Sequence, residues 1–436
     1  MMSEKFFKVR ERGSTVSREI AGGVTTFLAM SYILAVNPQV ISDSGIPWGA
    51  AFTATALSAA IATLAMAFLA NLPVALASGM GLNAFFTYTV VQGMGCSPNT
   101  ALTAVLLEGL LFLALSLFGV REAIVNSIPE TLRKAIAVAL GLFIAFVGFE
   151  NTGIITNDAG TPVAFVPFNM THAPALVAVL GLIITVVLSV RKVPGAILLG
   201  LIATTIIGIP FGVTTIPKDF TPFSTPSMPY FFKFEWTNVI SLKFFIIFFT
   251  FLFTDMFDTV GTFVGIAEQA NLKDENGAIL SVKGGMIADA TGTVVGACLG
   301  TSTVTSFIES ASGVAAGART GLSSLVTALL FLSAIFLSPL FSLVPPSATA
   351  PALVFVGFMM MKSVIGIDFT DLTEGIPAFI TIIVMPFSYS ISKGIIFGMI
   401  SYILCKVASN KIKEIPFVTW IIALVFLVDL VFEAIK

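Results

Sequence analysis

Runs of about twenty apolar residues, separated by short polar or Gly- and Pro-containing turns, recur along nearly the whole chain. A run of that length crosses the hydrocarbon core as a helix, so the pattern predicts membrane helices near 20–41, 48–70, 74–92, 98–119, 131–152, 174–190 and 194–212. Residues 213–240, with the stretch IPKDFTPFSTPSMPYFFKFEW, interrupt the series: rich in Pro, Thr and aromatics, they are too polar to span and suit an interfacial position. A second set follows near 241–267, 281–299, 301–317, 319–340, 346–366, 375–390 and 392–408. The chain therefore divides into an N-terminal tail (1–19), a first repeat (20–212), the interfacial segment (213–240), a second repeat (241–408) and a C-terminal apolar segment (409–436). Within the last, the run 416–433 carries Asp429 and either lies on the membrane or adds a span.

Seven segments on each side of the break suggest a duplication, and two pairs of strings support it. AFVGFENTGII (145–155) resembles VFVGFMMMKSVIGI (354–367), and NTALTAVLLEGLLFL (99–113) resembles RTGLSSLVTALLFL (319–332), each pair at the same ordinal position in its half. An odd number of spans forces the second repeat to enter the membrane from the opposite face, which is the inverted-repeat plan of many secondary transporters. Under that plan Arg121, Arg133, Lys134, Arg191, Lys192, Lys273, Lys283, Arg319, Lys362, Lys406, Lys411 and Lys413 fall on the same side as the basic tail. That side is expected to be the cytosol. Lys218, Lys233 and Lys393 fall on the other side, and the pattern gives no account of Lys393.

The expected fold is thus an all-α polytopic membrane protein with about 14 spans in two inverted seven-span repeats. The third segment of each half departs from helix. Residues 76–86, LASGMGLNAFF, place Gly79 and Gly81 in mid-membrane, and residues 299–309, LGTSTVTSFIE, place Gly300 and the run Thr301 to Thr305 at the matching position. Gly and β-branched, hydroxyl-rich residues favour extended backbone, so short extended breaks are expected in spans 3 and 10. Irregular backbone at that depth persists only where protein or a wet cavity satisfies its amides, which makes a matched pair of breaks a pointer to a binding site. A helix restarting near Ser306 would aim free amides at the midplane. The same residues, Ser306-Phe307-Ile308-Glu309, also fit a capping box in which Glu309 only reaches back to an amide, and the spacing leaves both readings open.

Acidic side chains inside these spans are the candidate chemistry. A carboxylate at the bilayer centre costs roughly 2.5–3.5 kcal/mol on insertion scales, so it is retained only where it faces protein or a cavity. In FFTFLFTDMFDTVGTFVG the spacing puts Asp255, Asp258, Thr262 and Gly265 on one stripe of a Phe-rich helix. Each Asp could instead make a structural bond to a neighbouring helix. Asp289, in MIADATGTVVG, reads equally as a packing or a coupling residue, whereas Glu108 and Glu150 lie near small residues or a span end and read as packing or solvated groups. Asn83 lies at the first break, at the counterpart of Thr305, and its amide needs a partner there.

Composition narrows the classes. Of 436 residues 56% are hydrophobic and 11% charged, with mean hydropathy +1.00, against about 25% charged in soluble domains. The net charge of −2 gives no clustered basic face, so no nucleic-acid partner is expected. Cys96, Cys298 and Cys405 are far apart in apolar surroundings, and His172 is the only histidine. Neither a disulfide framework, a His-based metal site nor a catalytic triad is available, and no cofactor is expected.

The strings EIAGGVTTFLAMSYILAVNP (19–38), GMGLNAFFTYTVV (79–91), FTDMFDTVGTFVG (253–265) and ADATGTVVGACLGTSTVTSFIESASGVAAGARTGL (288–322) resemble those of the adenine/guanine/hypoxanthine permeases, the AzgA-like branch of the nucleobase/cation symporters. The similarity runs over essentially the whole chain; Ala318 stands where that family often has Gly. The resemblance implies the fold of the uracil permease, a core domain moving against a gate domain, and proton-coupled uptake of purine bases across the plasma membrane. It also implies that Asp255, Glu309 and Asn83 bind the purine while Asp258 supports binding or coupling.

The chemistry is consistent with this, since a carboxylate accepts paired N–H groups on a heterocycle edge. Thr305 lies beside these groups, and Phe85, Phe86 and Phe307 offer rings for stacking. One of Asp255, Asp258 and Glu309 is expected to carry the coupled ion, H⁺ in preference to Na⁺, with Asp289 in support. The alternatives are the same fold with another cargo (a pyrimidine, xanthine or an anion) and an intramembrane aspartyl protease, whose Gly-x-Gly-Asp signature the chain lacks. The sequence leaves a homodimer open.

Overall fold

The computed structural model describes residues 6–118, 129–158, 161–237, 239–270, 272, 281–416, 419–420 and 423. Arg121, Lys273, Asp429 and most of 416–433 lie outside the described residues. The first half contains α1 (Val16–Met30), α2 (Ile33–Ser42) and α3 (Trp48–Ala65), which a π-helical turn extends to Ala70. Strand β1 (Leu76–Ser78) follows, then α4 (Met80–Ala84), continued as π-helix over Phe85–Gly93. Next come α5 (Pro98–Phe118), α6 (Glu130–Asn151), the hairpin β2 (Ile155–Asp158) and β3 (Thr161–Phe165), α7 (Ala173–Val190) and α8 (Ala196–Gly208).

Residues 213–237 form no regular element and lead to the second half. It contains α9 (Leu242–Ala270), α10 (Val282–Leu299), β4 (Val304–Ser306), α11 (Ser310–Ala315) and α12 (Gly321–Ala334). These are followed by α13 (Ser338–Ser342), α14 (Pro346–Met360), α15 (Leu372–Phe387) and α16 (Ile391–Ala408). Described helical stretches over Val16–Ser42, Trp48–Ala70, Pro98–Leu117, Glu130–Asn151, Met170–Val190, Gly321–Ser342 and Pro346–Gly366 are long and apolar enough to cross a membrane. Two shorter helices, α8 and α15, are also apolar.

The two expected breaks are present as strands and pair with each other. β1 and β4 run antiparallel with Leu76 opposite Ser306, Ala77 opposite Thr305 and Ser78 opposite Val304. Ladder bonds from Gly79 N to Thr303 O (3.0 Å) and from Phe307 N to Ala75 O (3.0 Å) extend the pairing at both ends. A two-stranded ladder leaves its outer edges unpaired, which is costly away from water. Hydroxyl groups of neighbouring helices close those edges: Thr63 Oγ1 accepts from Leu76 N (2.9 Å) and lies 3.2 Å from Leu76 O, Thr293 Oγ1 donates to Val304 O (2.8 Å), and Ser310 Oγ accepts from Ala75 N (3.0 Å). The Thr and Ser content of these otherwise apolar segments therefore has a backbone-satisfying purpose.

Two glycines permit the crossing. A Cβ on Gly79 would sit 2.6 Å from Thr305 Cγ2, so only Gly lets the strands approach there. Gly300, at φ +92°, ends α10 in the left-handed conformation and turns the chain into the second break.

The helices pack in two groups. The first collects α1, α3, α5, α9, α10 and α12 around the strand crossover; the second collects α6, α7, α8, α14, α15 and α16. The N-terminal residues 6–14 do not hang free. Phe7 and Val9 are buried, the Arg12 guanidinium donates to Asn71 O, Ser14 Oγ donates to Gly317 O (2.9 Å), and Asn71 Nδ2 donates to Phe7 O (3.0 Å). The sequence expectation of a tail misses this because the anchoring apolar residues are only Phe7 and Val9.

Candidate functional site

Helix α9 carries its acids past the strand crossover, and its polar stripe divides there. Asp255 and Thr259 face α10 and β4. Thr259 Oγ1 lies 3.0 and 3.1 Å from the Asp289 carboxylate oxygens, 3.0 Å from Thr305 Oγ1 and 3.5 Å from Asp255 Oδ1. Ser306 Oγ donates to Asp289 Oδ1 (3.4 Å). All five of these residues are buried. The Thr259 hydroxyl of α9 thus sits between two carboxylates, and β4 supplies two further hydroxyls, those of Thr305 and Ser306.

Asp258 also accepts from Thr305, and it interacts through space with Glu309. Together with Thr254, Thr262 and Ile308 it lines a cavity of about 490 Å³ between the two groups of helices. The remaining wall comes from α6 (Glu130, Arg133, Lys134, Ile136, Ala137, Leu140) and from the end of α14 and the turn after it (Met359, Met360, Lys362, Ser363). Of the expected stripe, Asp258 and Thr262 line the cavity, whereas Asp255 joins the buried Thr259 network. The surroundings of Gly265 lie outside the described residues.

Glu309 is the N-cap residue of the six-residue α11, but not through a capping box with Ser306. Ser306 bonds Asp289 instead, and Glu309 Oε1 accepts from the phenol of Tyr32 at 2.9 Å. Asn83, on α4, is fully buried; its Nδ2 donates to Ser78 O (3.3 Å), and Oδ1 has no hydrogen-bond partner among the described residues. Phe85 and Phe86 are fully buried, and the Phe85 ring meets Phe251 edge-on at 4.8 Å and 68°. Phe307 is buried immediately before Ile308.

Asn83, Phe85, Thr305, Phe307, Asp255, Asp289 and Glu309 are not among the cavity's lining residues, so the structure gathers the expected acids around the strand crossover and sets Asp258, of these, on the cavity wall. Sequence reasoning passed over Tyr32 and gave Glu108 a solvated or packing role. Glu108 is in fact fully buried and accepts from Thr303 Oγ1 (3.3 Å), beside the second break. Its place mid-way along an apolar helix was the available signal. Glu150 is exposed, as expected of a span end, and accepts from Tyr389 Oη (2.6 Å).

The far ends of the same helices are tied together. Tyr88 Oη donates to Asp43 Oδ2 (2.9 Å) and accepts from Asn151 Nδ2 (3.0 Å), and the Tyr88 and Tyr389 rings meet at 6.2 Å. Among the described residues no group of three or more His, Cys, Asp or Glu is arranged to hold a metal ion.

Comparison with known proteins agrees with this architecture. Residues 17–397 match the model Xan_ur_permease, described as a permease family. The chain belongs to that family. As a member with several helices of spanning length, it is a multi-pass membrane protein of a class of transporters and not of enzymes. It is 42% identical to the guanine/hypoxanthine permease PbuG of Bacillus subtilis, over 98% of this chain and 99% of that protein. It is 39% identical to the adenine permease AdeP of Escherichia coli, over 99% of this chain and 96% of that protein. The resemblance to adenine and guanine/hypoxanthine permeases is therefore established over nearly the full length. In fold it is similar to the transmembrane domain of the cyanobacterial bicarbonate transporter BicA, with a TM-score of 0.60 at 16% identity, covering 90% of this chain and 97% of that one.

Proposed function

We propose that this permease imports purine nucleobases, namely adenine, guanine or hypoxanthine, together with protons, by alternating access across a plasma membrane with its N-terminus in the cytosol. The observation that carries the reading is the joined set of acids, Asp258 with Glu309 and Asp255 with Asp289, meeting at the β1–β4 crossover beside a cavity. The chain is closely similar to proteins named for purine transport. Buried carboxylates and hydroxyls suit the paired N–H donors of a purine edge, and a buried carboxylate that must discharge to face an apolar bilayer suits proton coupling.

In this reading the protein has fourteen spans in two inverted repeats. The seven long apolar helices, the two shorter ones α8 and α15, helices α9, α10 and α16, and the two segments broken at β1 and β4 supply them. The antiparallel sense of β1 and β4 fits segments that enter from opposite faces. The cavity is the cytosolic approach, because its rim carries Arg133, Lys134 and Lys362. The opposite end is closed by Tyr88 with Asp43 and Asn151, linking the group that moves with the substrate to the group that gates it. Transport would open this end and close the other.

The test is uptake of labelled adenine, guanine and hypoxanthine by cells lacking their own carriers. Wild type should accumulate at least one of them, and Asp255→Asn, Asp258→Asn and Glu309→Gln should each reduce that uptake by tenfold or more, the scale of losing a hydrogen bond to a charged group, about 1.5–3 kcal/mol. Uptake unchanged in all three variants would refute the site.

A further inference from the structure

We infer that Tyr32 is a positioning residue for substrate binding, acting through Glu309. Tyr32 occupies the interruption between α1 and α2, where Ser31 and Tyr32 form a turn instead of continuing the helix. Its carbonyl accepts from both Ala35 N and Val36 N (3.0 Å each), so the residue is anchored at the start of α2. The side chain is 1% exposed, and its phenol donates to Glu309 Oε1 at 2.9 Å across 277 residues of sequence.

Glu309 has a long side chain on a short turn between β4 and α11, next to Ile308 on the cavity wall. Left alone, such a carboxylate samples several rotamers. A phenol fixes it without carrying a charge, unlike a Lys or Arg, so the carboxylate keeps its charge for a ligand. Each carboxylate oxygen has more than one acceptor position, so a bond to Tyr32 orients the group and still leaves acceptors for ring N–H donors. Asp258 lies within electrostatic reach of both groups, which places this pair at the acid cluster and not merely near it.

The inference rests on the reading that Glu309 contacts the purine. It predicts that Tyr32→Phe, which keeps the ring and its packing, raises the apparent KM for labelled purine about tenfold while Vmax per molecule in the membrane changes less than twofold. That is the fold-change expected for a misaligned charge-assisted hydrogen bond. A purely structural phenol would instead lower the amount of folded protein and leave the KM of what remains unaltered. Unchanged KM therefore overturns the inference. If the variant reaches the membrane poorly, detergent-purified protein decides it. Saturation of the adenine- or hypoxanthine-induced rise in melting temperature should need about tenfold more ligand in Tyr32→Phe, and equal saturation overturns the inference. Glu309→Gln separates the two failures: if it leaves uptake at the wild-type level, the reading of the site falls and the inference with it. If it abolishes uptake while Tyr32→Phe keeps the wild-type KM, the inference alone falls.

Discussion

At the scale of single residues, the decisive fact is that one hydroxyl, that of Thr259, stands between the carboxylates of Asp255 and Asp289 and touches Thr305. A hydroxyl has a single proton to donate, so each contact constrains the others. Thr259→Val keeps the shape and removes that bond, and an unmade bond to a buried polar group costs about 1–3 kcal/mol. The variant should therefore melt at a lower temperature in detergent, and a melting curve identical to wild type would contradict the assigned network. Gly79→Val should be worse, because even its Cβ would collide with Thr305 Cγ2 at 2.6 Å; loss of monodisperse protein on size-exclusion chromatography is the expected result. Much of this was legible in the sequence. Acids at Asp255, Asp258 and Glu309 stand out because lipid tolerates them only for a reason. Which face of α9 each acid takes was not legible: a spacing of three places Asp255 and Asp258 near each other on the helix, yet the cavity edge falls between them. Tyr32 was invisible because a Tyr in an apolar run carries no signal until its partner, 277 positions away, is known.

Elements add constraints that residues alone do not. β1 and β4 exist because Gly and the Thr-rich run disfavour helix and because Thr63, Thr293 and Ser310 close their open edges. The run at 301–305 could be read as extended from its composition, but its pairing partner could not, since strand pairing depends on how the two halves fold together. The closed end offers an element-level test. With the native cysteines replaced, a cysteine at Gln39, which lines cavities near Asp43 and Pro345, should react faster with a membrane-impermeant thiol reagent once Asn151→Ala removes the bond to Tyr88. An unchanged rate would show that this contact does not hold the end shut.

Helix α15 gives a pH test. Asp371 accepts from the amide and the hydroxyl of Thr373 (2.8 Å each), with Lys411 at 3.3 Å, and these hold its carboxyl down at about 2. Its folded value lies below the ordinary one near 3.9. It therefore favours the folded state above about pH 4 and loses that contribution as pH falls toward 2. The melting temperature of Asp371→Ala should lie below wild type at neutral pH, and the gap should narrow below about pH 4. A gap independent of pH would place the effect elsewhere.

For the whole molecule, two packed groups of helices meet along a cavity lined by Arg133, Lys134, Lys362, Glu130 and Asp258, and toward the other end of α6 Tyr88 is hydrogen-bonded to Asp43 and Asn151. That several helices are long and apolar enough to span, and that residues 213–237 form no regular element, was readable from hydropathy, because lipid imposes a length on every span. The anchoring of residues 6–14 was not, since two buried apolar side chains in a basic segment make too weak a pattern. The most direct test of the central claim uses purified protein in liposomes, with one labelled purine competed by adenine, guanine, hypoxanthine, xanthine, uracil and bicarbonate at two external pH values. The account predicts competition by adenine, guanine or hypoxanthine, none by uracil or bicarbonate, and faster uptake at the more acidic external pH. Competition by uracil or bicarbonate in preference to every purine, or uptake indifferent to the pH gradient, would contradict it.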